Sequence, residues 1–200
     1  MLSSGPRLAA VPAIAALAAF GGCRTLPTPA PGASWEARRG ELQARTHFEL
    51  RGRVAVAAGS EGFNASLHWI QDGARAQLTL AGPLGAASAQ VTATPEDLEL
   101  TTSRGDRLSG EAARTQLAAR LGFDPPLSSL RYWVLGVPDP QAPATETLDA
   151  GQQRLSALVQ EGWQIGYDGY ASAGAEVLPA RLTLHRDAVR VRLLVDTWQP

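Results

Sequence analysis

The sequence predicts a mainly β fold of the α+β class, in which about ten or eleven antiparallel strands form one curved sheet that inserted helices cover. Three observations predict this architecture. Polar and apolar residues alternate along most segments after residue 46, which is typical of strands with one buried face. Turn sequences separate these segments at intervals of about 8 to 12 residues. Two segments in the middle of the chain carry apolar residues at helical spacing instead.

The folded domain is predicted to span residues 34–200 and to begin with a helix. In SWEARRGELQART (34–46), Ser34 is a candidate N-cap, and Trp35 and Leu42 are available for packing. An antiparallel meander follows. Its predicted strands are RVAVA (53–57), FNASLHWIQ (63–71), ARAQLTL (74–80), SAQVTAT (88–94) and DLELTTS (97–103), with turns at Asp72-Gly73, Pro95-Glu96 and Arg104-Gly105.

Two helices are predicted to interrupt the meander. The first is SGEAARTQLAARLG (109–122), with Ser109 as its cap, Leu117 and Leu121 on one face, and Gly122 as its stop. The second lies in LSSLRYWVLGV (127–137), after a Pro-Pro pair. Its apolar residues recur at helical spacing, and they are Leu127, Leu130, Val134 and Val137, with Trp133 beside them. The proline-rich stretch 138–144 then predicts a loop that ends near Gly151.

Strands resume in the last quarter of the chain. The predicted segments are QRLSALVQ (153–160), WQIGY (163–167), ARLTLHR (180–186) and VRVRLLVDTW (189–198). In the last segment, Val189, Val191 and Leu193 share one face, and Arg190 and Arg192 share the other. An apolar face this regular predicts a sheet with one buried side, which the inserted helices would cover.

Composition excludes several classes of function. The 200 residues suit one domain of ordinary size. Eighteen basic and nineteen acidic residues give a net charge of −1, so there is no basic excess for binding nucleic acid. The single cysteine, Cys23, provides neither a disulfide framework nor a cysteine-rich metal site. No phosphate-binding loop, zinc motif or nucleophile elbow occurs, and the three histidines stand far apart. We therefore predict no catalytic residue, metal or cofactor.

The apolar face is the candidate binding site. A half-barrel capped by helices can leave a cavity, and hydrophobic walls without converging polar groups suit acyl chains. The alternative is an ordinary filled core. The candidate lining residues are Val54, Val56, Trp69, Leu78, Leu80, Leu130, Trp133, Trp163, Ile165, Tyr167, Leu182, Leu184, Val191 and Leu193.

The first 33 residues predict export and anchoring. Residues 1–22 have one basic residue and a short apolar stretch, which indicates a signal peptide rather than a transmembrane helix. Its end, Gly-Gly before Cys23, is similar to a bacterial lipobox, which implies that Cys23 becomes the first mature residue and carries lipid. An ordinary secretory signal that contains a cysteine is the alternative. Residues 23–33 are proline-rich and predict an extended tether.

Seven short segments, taken in order, resemble the LolB family of outer-membrane lipoproteins. They are RGRVAV (51–56), WIQ (69–71), LTLAGPLG (78–85), LRYWVLGVP (130–138), EGWQIGYDGY (161–170), LPARLTL (178–184) and VDTW (195–198). The resemblance implies an incomplete antiparallel β-barrel whose helices form a lid over a hydrophobic cavity. It also implies a receptor that accepts lipoproteins from the periplasmic carrier LolA, holds their acyl chains and inserts them into the outer membrane.

The resemblance assigns roles to single residues. The family carries an exposed apolar residue on a loop between two early strands, and Leu84 in AGPLGAA matches it, so Leu84 is expected to contact the membrane. Cys23 would be the lipid anchor, and Arg24 after it is compatible with the outer membrane. The expected partners are LolA, the acyl chains of cargo lipoproteins and outer-membrane lipid, with the domain a monomer that faces the periplasm.

Two other functions stay open at this point. One is a lipid-anchored structural or binding module of the envelope with a filled core. The other is a hydrolase, which would need a histidine within reach of a serine or an acid in a cleft. An apolar void between the sheet and the helix with Trp133 would favour the receptor.

Overall fold

One open antiparallel sheet forms most of the molecule. The computed structural model describes residue 1 and residues 34–83, 88–151 and 153–200. Its helices are α1 (Trp35–Gln43), α2 (Gly110–Leu121) and α3 (Leu127–Leu135). Its strands are β1 (His47–Ala58), β2 (Glu61–Asp72), β3 (Arg75–Ala81), β4 (Ser88–Ala93), β5 (Leu98–Thr102), β6 (Arg107–Ser109), β7 (Ala144–Leu148), β8 (Leu155–Gln160), β9 (Trp163–Ala173), β10 (Glu176–Arg186) and β11 (Val189–Gln199).

The order of the strands confirms the predicted fold class. The sheet runs β6-β5-β4-β3-β2-β1-β11-β10-β9-β8-β7, so two meanders meet where β1 pairs with β11. Every pairing between neighbouring strands is antiparallel. The segment with α2 and α3 links the two edge strands, β6 and β7. This connection brings both helices to the apolar face of the sheet.

The first helix covers one edge of the sheet. Ser34 caps α1, as predicted, because its side-chain oxygen accepts a hydrogen bond from the Ala37 backbone N–H. Trp35 is buried, and its indole N–H donates to the Glu146 carboxylate on β7 over 2.6 Å. Arg39 forms an ion pair with the same carboxylate at 2.8 Å. The helix is therefore attached to the edge strand β7 through the Glu146 side chain.

The two middle helices form as predicted, and α2 ends before Gly122 as expected, but the cap of α2 and the end of α3 differ from the prediction. Ser109 precedes α2, but its side chain makes no capping hydrogen bond. The Asp97 carboxylate, in the turn between β4 and β5, accepts from the Gly110 N–H over 2.9 Å instead. In α3 the helix ends at Leu135, because Gly136 takes a left-handed φ of 81°. Val137 is therefore a buried residue after the helix rather than part of its apolar face.

Two strands were not predicted. β6 has only three residues, and β7 lies inside the segment that was expected to be a loop. β7 has the sequence ATETL, which is largely exposed or half-buried and so lacks an apolar alternation. Its pairing with β8 and its attachment to α1 are tertiary effects.

Gly52 is required where the two meanders join. The register between β1 and β11 shifts at Arg51/Gly52, and a Cβ at Gly52 would lie 2.1 Å from the Leu194 carbonyl oxygen. The atoms that this Cβ would meet belong to the backbone of Leu194 and Val195, so they cannot move aside without distorting β11. We expect Gly52→Ala to lower the free energy of unfolding by about 1–3 kcal/mol, the usual cost of overpacking, measured by urea denaturation.

Gly40→Ala is the matched control for this substitution. A Cβ at Gly40 would meet no atom within 4 Å, and the residue lies inside α1. Alanine is favoured over glycine in a helix by about 0.5–1 kcal/mol, so this variant should be slightly more stable. If the Gly52→Ala variant were as stable as the parent chain, β1 and β11 would be able to move apart at this position without a loss of free energy.

Candidate functional site

An apolar cavity lies between the sheet and the two middle helices. Its volume is about 110 Å³. Every lining side chain is hydrophobic. The lining residues from the sheet are Val54, Val56, Phe63, Leu67, Trp69, Leu78, Leu80, Val91, Leu182, Leu184, Val191 and Leu193, and those from the helical segment are Leu117, Leu121, Phe123, Pro125, Leu127, Leu130, Trp133 and Val134. The void that the sequence left in question is therefore present, although it is small.

The helical segment contributes more of the lining than the sequence suggested. Only Leu130 and Trp133 were predicted from it, yet Leu117 and Leu121 of α2 and Phe123 after it also face the cavity. The signal was available, since Leu117 and Leu121 stand four residues apart on one helical face. On the sheet, Phe63, Leu67 and Val91 were likewise not among the predicted residues, although Phe63 and Leu67 alternate with polar neighbours.

Three predicted lining residues lie outside the cavity. Trp163, Ile165 and Tyr167 are buried on β9, beyond β10 and away from the centre of the sheet. Trp163 packs against Trp133 with ring centroids 6.4 Å apart, so it contacts the side of α3 rather than the void. Alternation identifies the buried face of the sheet but not the part of that face which a helix fills, so the sequence alone does not separate these three from the residues around the void.

A buried glutamine fastens α3 to the sheet. Gln160, at the end of β8, is 1% exposed. Its Oε1 accepts from the Trp133 indole N–H at 2.8 Å and from the Asp139 backbone N–H at 2.9 Å. Its Nε2 donates to the carbonyls of Asp139 and Ala142, each at 2.8 Å. Both N–H groups of this amide are therefore hydrogen-bonded, so Gln160 holds the end of β8 rigidly against α3 and the segment after it.

A buried tyrosine adds a second attachment for α3. The Tyr167 hydroxyl donates to the Trp133 carbonyl oxygen over 3.0 Å. Burial raises the pKa of Tyr167 well above its ordinary value, so the phenol stays protonated and remains a donor at physiological pH. Tyr167 is thus a support of the helix and not a wall of the cavity.

The attachment of α2 to the sheet is different in kind, because it packs on β5 and β6 and none of its described side chains is hydrogen-bonded to the sheet. Among the described residues, no side chain of α2 makes a hydrogen bond or an ion pair with the sheet, and only Ala113 and Leu117 of this helix are buried. The half-buried lining residues gather at one rim, which includes Phe63 and Leu80 on the sheet and Leu121 and Leu127 on the helical segment. The cavity therefore opens where α2 and the segment after it meet the ends of β2 and β3.

The histidines lie away from this cavity. The His68 ring contacts the Glu49 carboxylate at 2.7 Å, and hydrogen bonds from His68 and Arg51 lower the pKa of that carboxyl. His47 contacts both Thr46, at 2.8 Å, and Asp72, at 2.7 Å. This hydroxyl–imidazole–carboxylate arrangement lies at the end of a hairpin, where the His47 and Asp72 side chains are 71% and 73% exposed to solvent. It lacks the enclosed site that a hydrolase needs.

Two predicted site residues, Cys23 and Leu84, lie outside the described residues. The same holds for the predicted signal peptide (1–22), apart from residue 1, and for the predicted tether (23–33). In the described part of the chain, no helix is both long and apolar enough to cross a membrane. That part also contains no group of three or more side chains able to hold a metal ion.

Comparison with known proteins gives a consistent result. The family model described as "Outer membrane lipoprotein LolB" matches residues 46–198. The outer-membrane lipoprotein LolB of Pseudomonas putida is 33% identical over 187 residues, which cover 94% of this chain and 91% of that protein. The LolB of Nitrosococcus oceani is 34% identical over 182 residues, 89% of this chain and 90% of that protein.

Solved structures share the fold at low sequence identity. A LolA-superfamily protein from Nitrosomonas europaea superposes with a TM-score of 0.53 at 8% identity, over 83% of this chain and 93% of that chain. A DUF1329-family protein from Desulfovibrio piger gives a TM-score of 0.56 at 6% identity, over 82% of this chain and 90% of that chain. These two likenesses support the architecture alone.

Proposed function

Because this chain belongs to the LolB family of outer-membrane lipoproteins, we propose that it is the receptor that takes lipoproteins from a LolA-type periplasmic carrier. The receptor holds the acyl chains of its cargo in the apolar cavity and releases them into the outer membrane. No covalent chemistry and no nucleotide are needed, since each transfer can run towards the site that buries the chains better.

The apolar cavity is the observation that carries this proposal. Its lining offers no polar group that could orient a polar ligand. Each methylene that leaves water for such an environment contributes about 0.8 kcal/mol, so the affinity for an acyl chain grows with its length. Walls of this kind select for hydrophobic length and leave the protein part of the cargo outside.

Cargo binding requires the cavity to widen. A cavity of about 150 Å³ in a protein interior holds a molecule of the size of benzene, and the volume here is about 110 Å³. An acyl chain is far larger, so a part of the lid has to move. We assign that movement to α2 and residues 122–126, because α3 is fixed to the sheet through Gln160 and Tyr167.

The lipid anchor keeps the receptor at its membrane. In this proposal Cys23 is acylated and is the first mature residue, and residues 23–33 tether the domain on the periplasmic side. Mass spectrometry of the mature N-terminus tests this step directly. A diacylated and N-acylated cysteine is the expected result, and a free thiol at residue 23 of the mature protein would contradict it.

The test of the function is transfer from a carrier. An acylated lipoprotein bound to a LolA-type carrier is mixed with this protein in vesicles, and the cargo is followed from carrier to receptor to bilayer. Transfer that depends on this protein is expected. If the cargo stays on the carrier, the chain is instead a lipid-anchored envelope module whose cavity is only a packing defect.

Leu84→Glu should block release without blocking capture. Leu84 follows Leu80, which lies at the half-exposed rim of the cavity, by four residues. Burial of a leucine side chain contributes roughly 1.5–3 kcal/mol, and a carboxylate would oppose membrane contact instead. We expect normal acyl-chain binding and loss of insertion into vesicles, with Leu84→Met retaining both. Normal insertion by the glutamate variant would remove the role given to this residue.

A further inference from the structure

The face of the sheet opposite the helices carries a groove of about 670 Å³. It crosses the strands from β3 to β9 and is separate from the apolar cavity, which opens on the other face. Three arginines line it, Arg53 on β1, Arg181 on β10 and Arg192 on β11. The transfer function has no use for this groove.

The strand register explains why a groove forms here. Arg53 pairs across β1 and β2 with Ser66, and Ser66 pairs with Ala81 on β3. In the next outward-facing row, Arg192 pairs with Ala55 on one side and with Thr183 on the other. Small side chains therefore form the floor, and long guanidinium groups stand above it.

Positive charge exceeds negative charge in the groove, since its three arginines outnumber Asp168, which lines it, and Asp196, which pairs with Arg53. Arg53 pairs with Asp196 at 3.0 Å, and the Asp168 carboxylate accepts a hydrogen bond from the Thr183 hydroxyl at 2.8 Å. Within the described residues, no carboxylate lies within ion-pair distance of Arg181 or Arg192, and both side chains are exposed. The net charge of the whole chain is −1, so this local excess of arginine is a property of one surface.

We propose that this groove docks on anionic phospholipid headgroups of the membrane to which the protein is anchored. A guanidinium group matches the geometry of a phosphate and binds it through two hydrogen bonds. An outer-membrane lipoprotein holds its domain beside a phospholipid leaflet, so this partner is always near. Pro83 also lines the groove, and in the sequence it directly precedes Leu84, the residue to which the proposed function gives membrane contact.

This orientation rests on the proposed function, but its test is separate. The acylated protein is placed in vesicles of phosphatidylcholine, or of equal parts of phosphatidylcholine and phosphatidylglycerol, and treated with phenylglyoxal, which modifies exposed arginines. Mass spectrometry then gives the rate at each arginine. We expect Arg181 and Arg192 to react about fivefold more slowly in the anionic vesicles. Arg75 and Arg107, which are exposed outside the groove, should react at the same rate in both.

A double variant tests whether the groove sets the orientation. Arg190 points to the same face as Arg192 without lining the groove. In the parent chain, anionic vesicles should therefore slow the reaction of Arg190 with phenylglyoxal. This protection of Arg190 should be lost in the Arg181→Ala/Arg192→Ala variant and kept in the matched control Arg75→Ala/Arg107→Ala. Whether the parent chain and both variants are recovered with phosphatidylcholine vesicles shows whether the lipid anchor holds them. Transfer of cargo from carrier to vesicle shows separately whether the cavity works. A failure of transfer, and with it of the proposed function, therefore leaves the result for the groove interpretable.

Three outcomes would overturn the proposal. Equal rates in both kinds of vesicle would show that the groove does not meet the membrane. Protection by inorganic phosphate in neutral vesicles, as strong as that by phosphatidylglycerol, would show a site for free phosphate. Protection by a polyglutamate peptide, at least as strong as that by phosphatidylglycerol, would assign the groove to an acidic protein partner.

Discussion

Leu130→Glu is expected to abolish acyl-chain binding while the domain stays folded. Leu130 lines the cavity from α3 and is only half-buried, so a carboxylate there can keep its water when the cavity is empty. A bound acyl chain would strip that water away. An unpaired charge that loses its solvent costs several kcal/mol, and each 1.4 kcal/mol is a factor of ten in affinity. We therefore expect binding to weaken by about 100-fold or more.

Titration with an acylated peptide, followed by the fluorescence of the tryptophans near the cavity, measures this effect. The matched control is Ile70→Glu, which makes the same chemical change on the outer face of β2, where Ile70 is 37% exposed. The control should bind as the parent chain does. Unchanged affinity of the Leu130→Glu protein would mean that the chain is held elsewhere, and the cavity would lose its assigned role.

The sheet could be predicted because one of its faces is exposed to solvent and the other is buried. In β2, Ala65, Leu67 and Trp69 are buried, whereas Asn64 and Ser66, which alternate with the first of them, are exposed. A period of two along the chain is the direct consequence of this geometry, and a shift by one residue would turn every side chain over. The same reasoning holds for β11, where Leu193 and Val195 are buried and Arg192 is exposed.

The edge strand β7 could not be predicted because its sequence shows no alternation of apolar and polar residues. Neither face of ATETL is covered by a continuous core, and its polar side chains serve other elements. Glu146 accepts hydrogen bonds from Trp35 and Arg39, more than 100 residues earlier in the chain. A strand that is specified by such distant partners carries no local signal.

The cavity was predicted in outline and not in detail. Alternation placed Trp69 and Trp163 on the same apolar face, and both are buried. Only Trp69 lines the void, because β9 lies further along the sheet, where α3 and Phe123 fill the space above Trp163. How helices sit on a sheet depends on packing between distant residues, which a single sequence pattern does not contain.

The two halves of the lid differ in a way that suits a receptor. The buried amide of Gln160 and the phenol of Tyr167 hold α3, and the ordered segment around residues 139–142 is part of the same network. Beyond the Asp97 hydrogen bond to its first residue, α2 is held across the cavity by apolar contacts, which are non-directional and are replaced when an acyl chain enters. One half of the lid is therefore a fixed wall, and the other half can move at a small cost.

Gln160→Leu should cause the largest loss of stability among the substitutions considered. Leucine cannot replace the amide, so the Trp133 indole N–H and the Asp139 backbone N–H would lose their acceptor inside the protein. A buried polar group without a partner costs about 1–3 kcal/mol. The carbonyls of Asp139 and Ala142 would also lose a donor. We expect the free energy of unfolding to fall by roughly 3–5 kcal/mol, out of a typical total of 5–15 kcal/mol.

Urea denaturation measures this loss, and Gln164→Leu serves as the control. Gln164 is exposed on β9, so the same substitution there removes no buried hydrogen bond and should change stability by less than about 0.5 kcal/mol. A Gln160→Leu protein as stable as this control would show that α3 is held by its apolar contacts and not by the amide. The distinction between a fixed and a movable half of the lid would then be lost, since both helices would rest on the sheet in the same way.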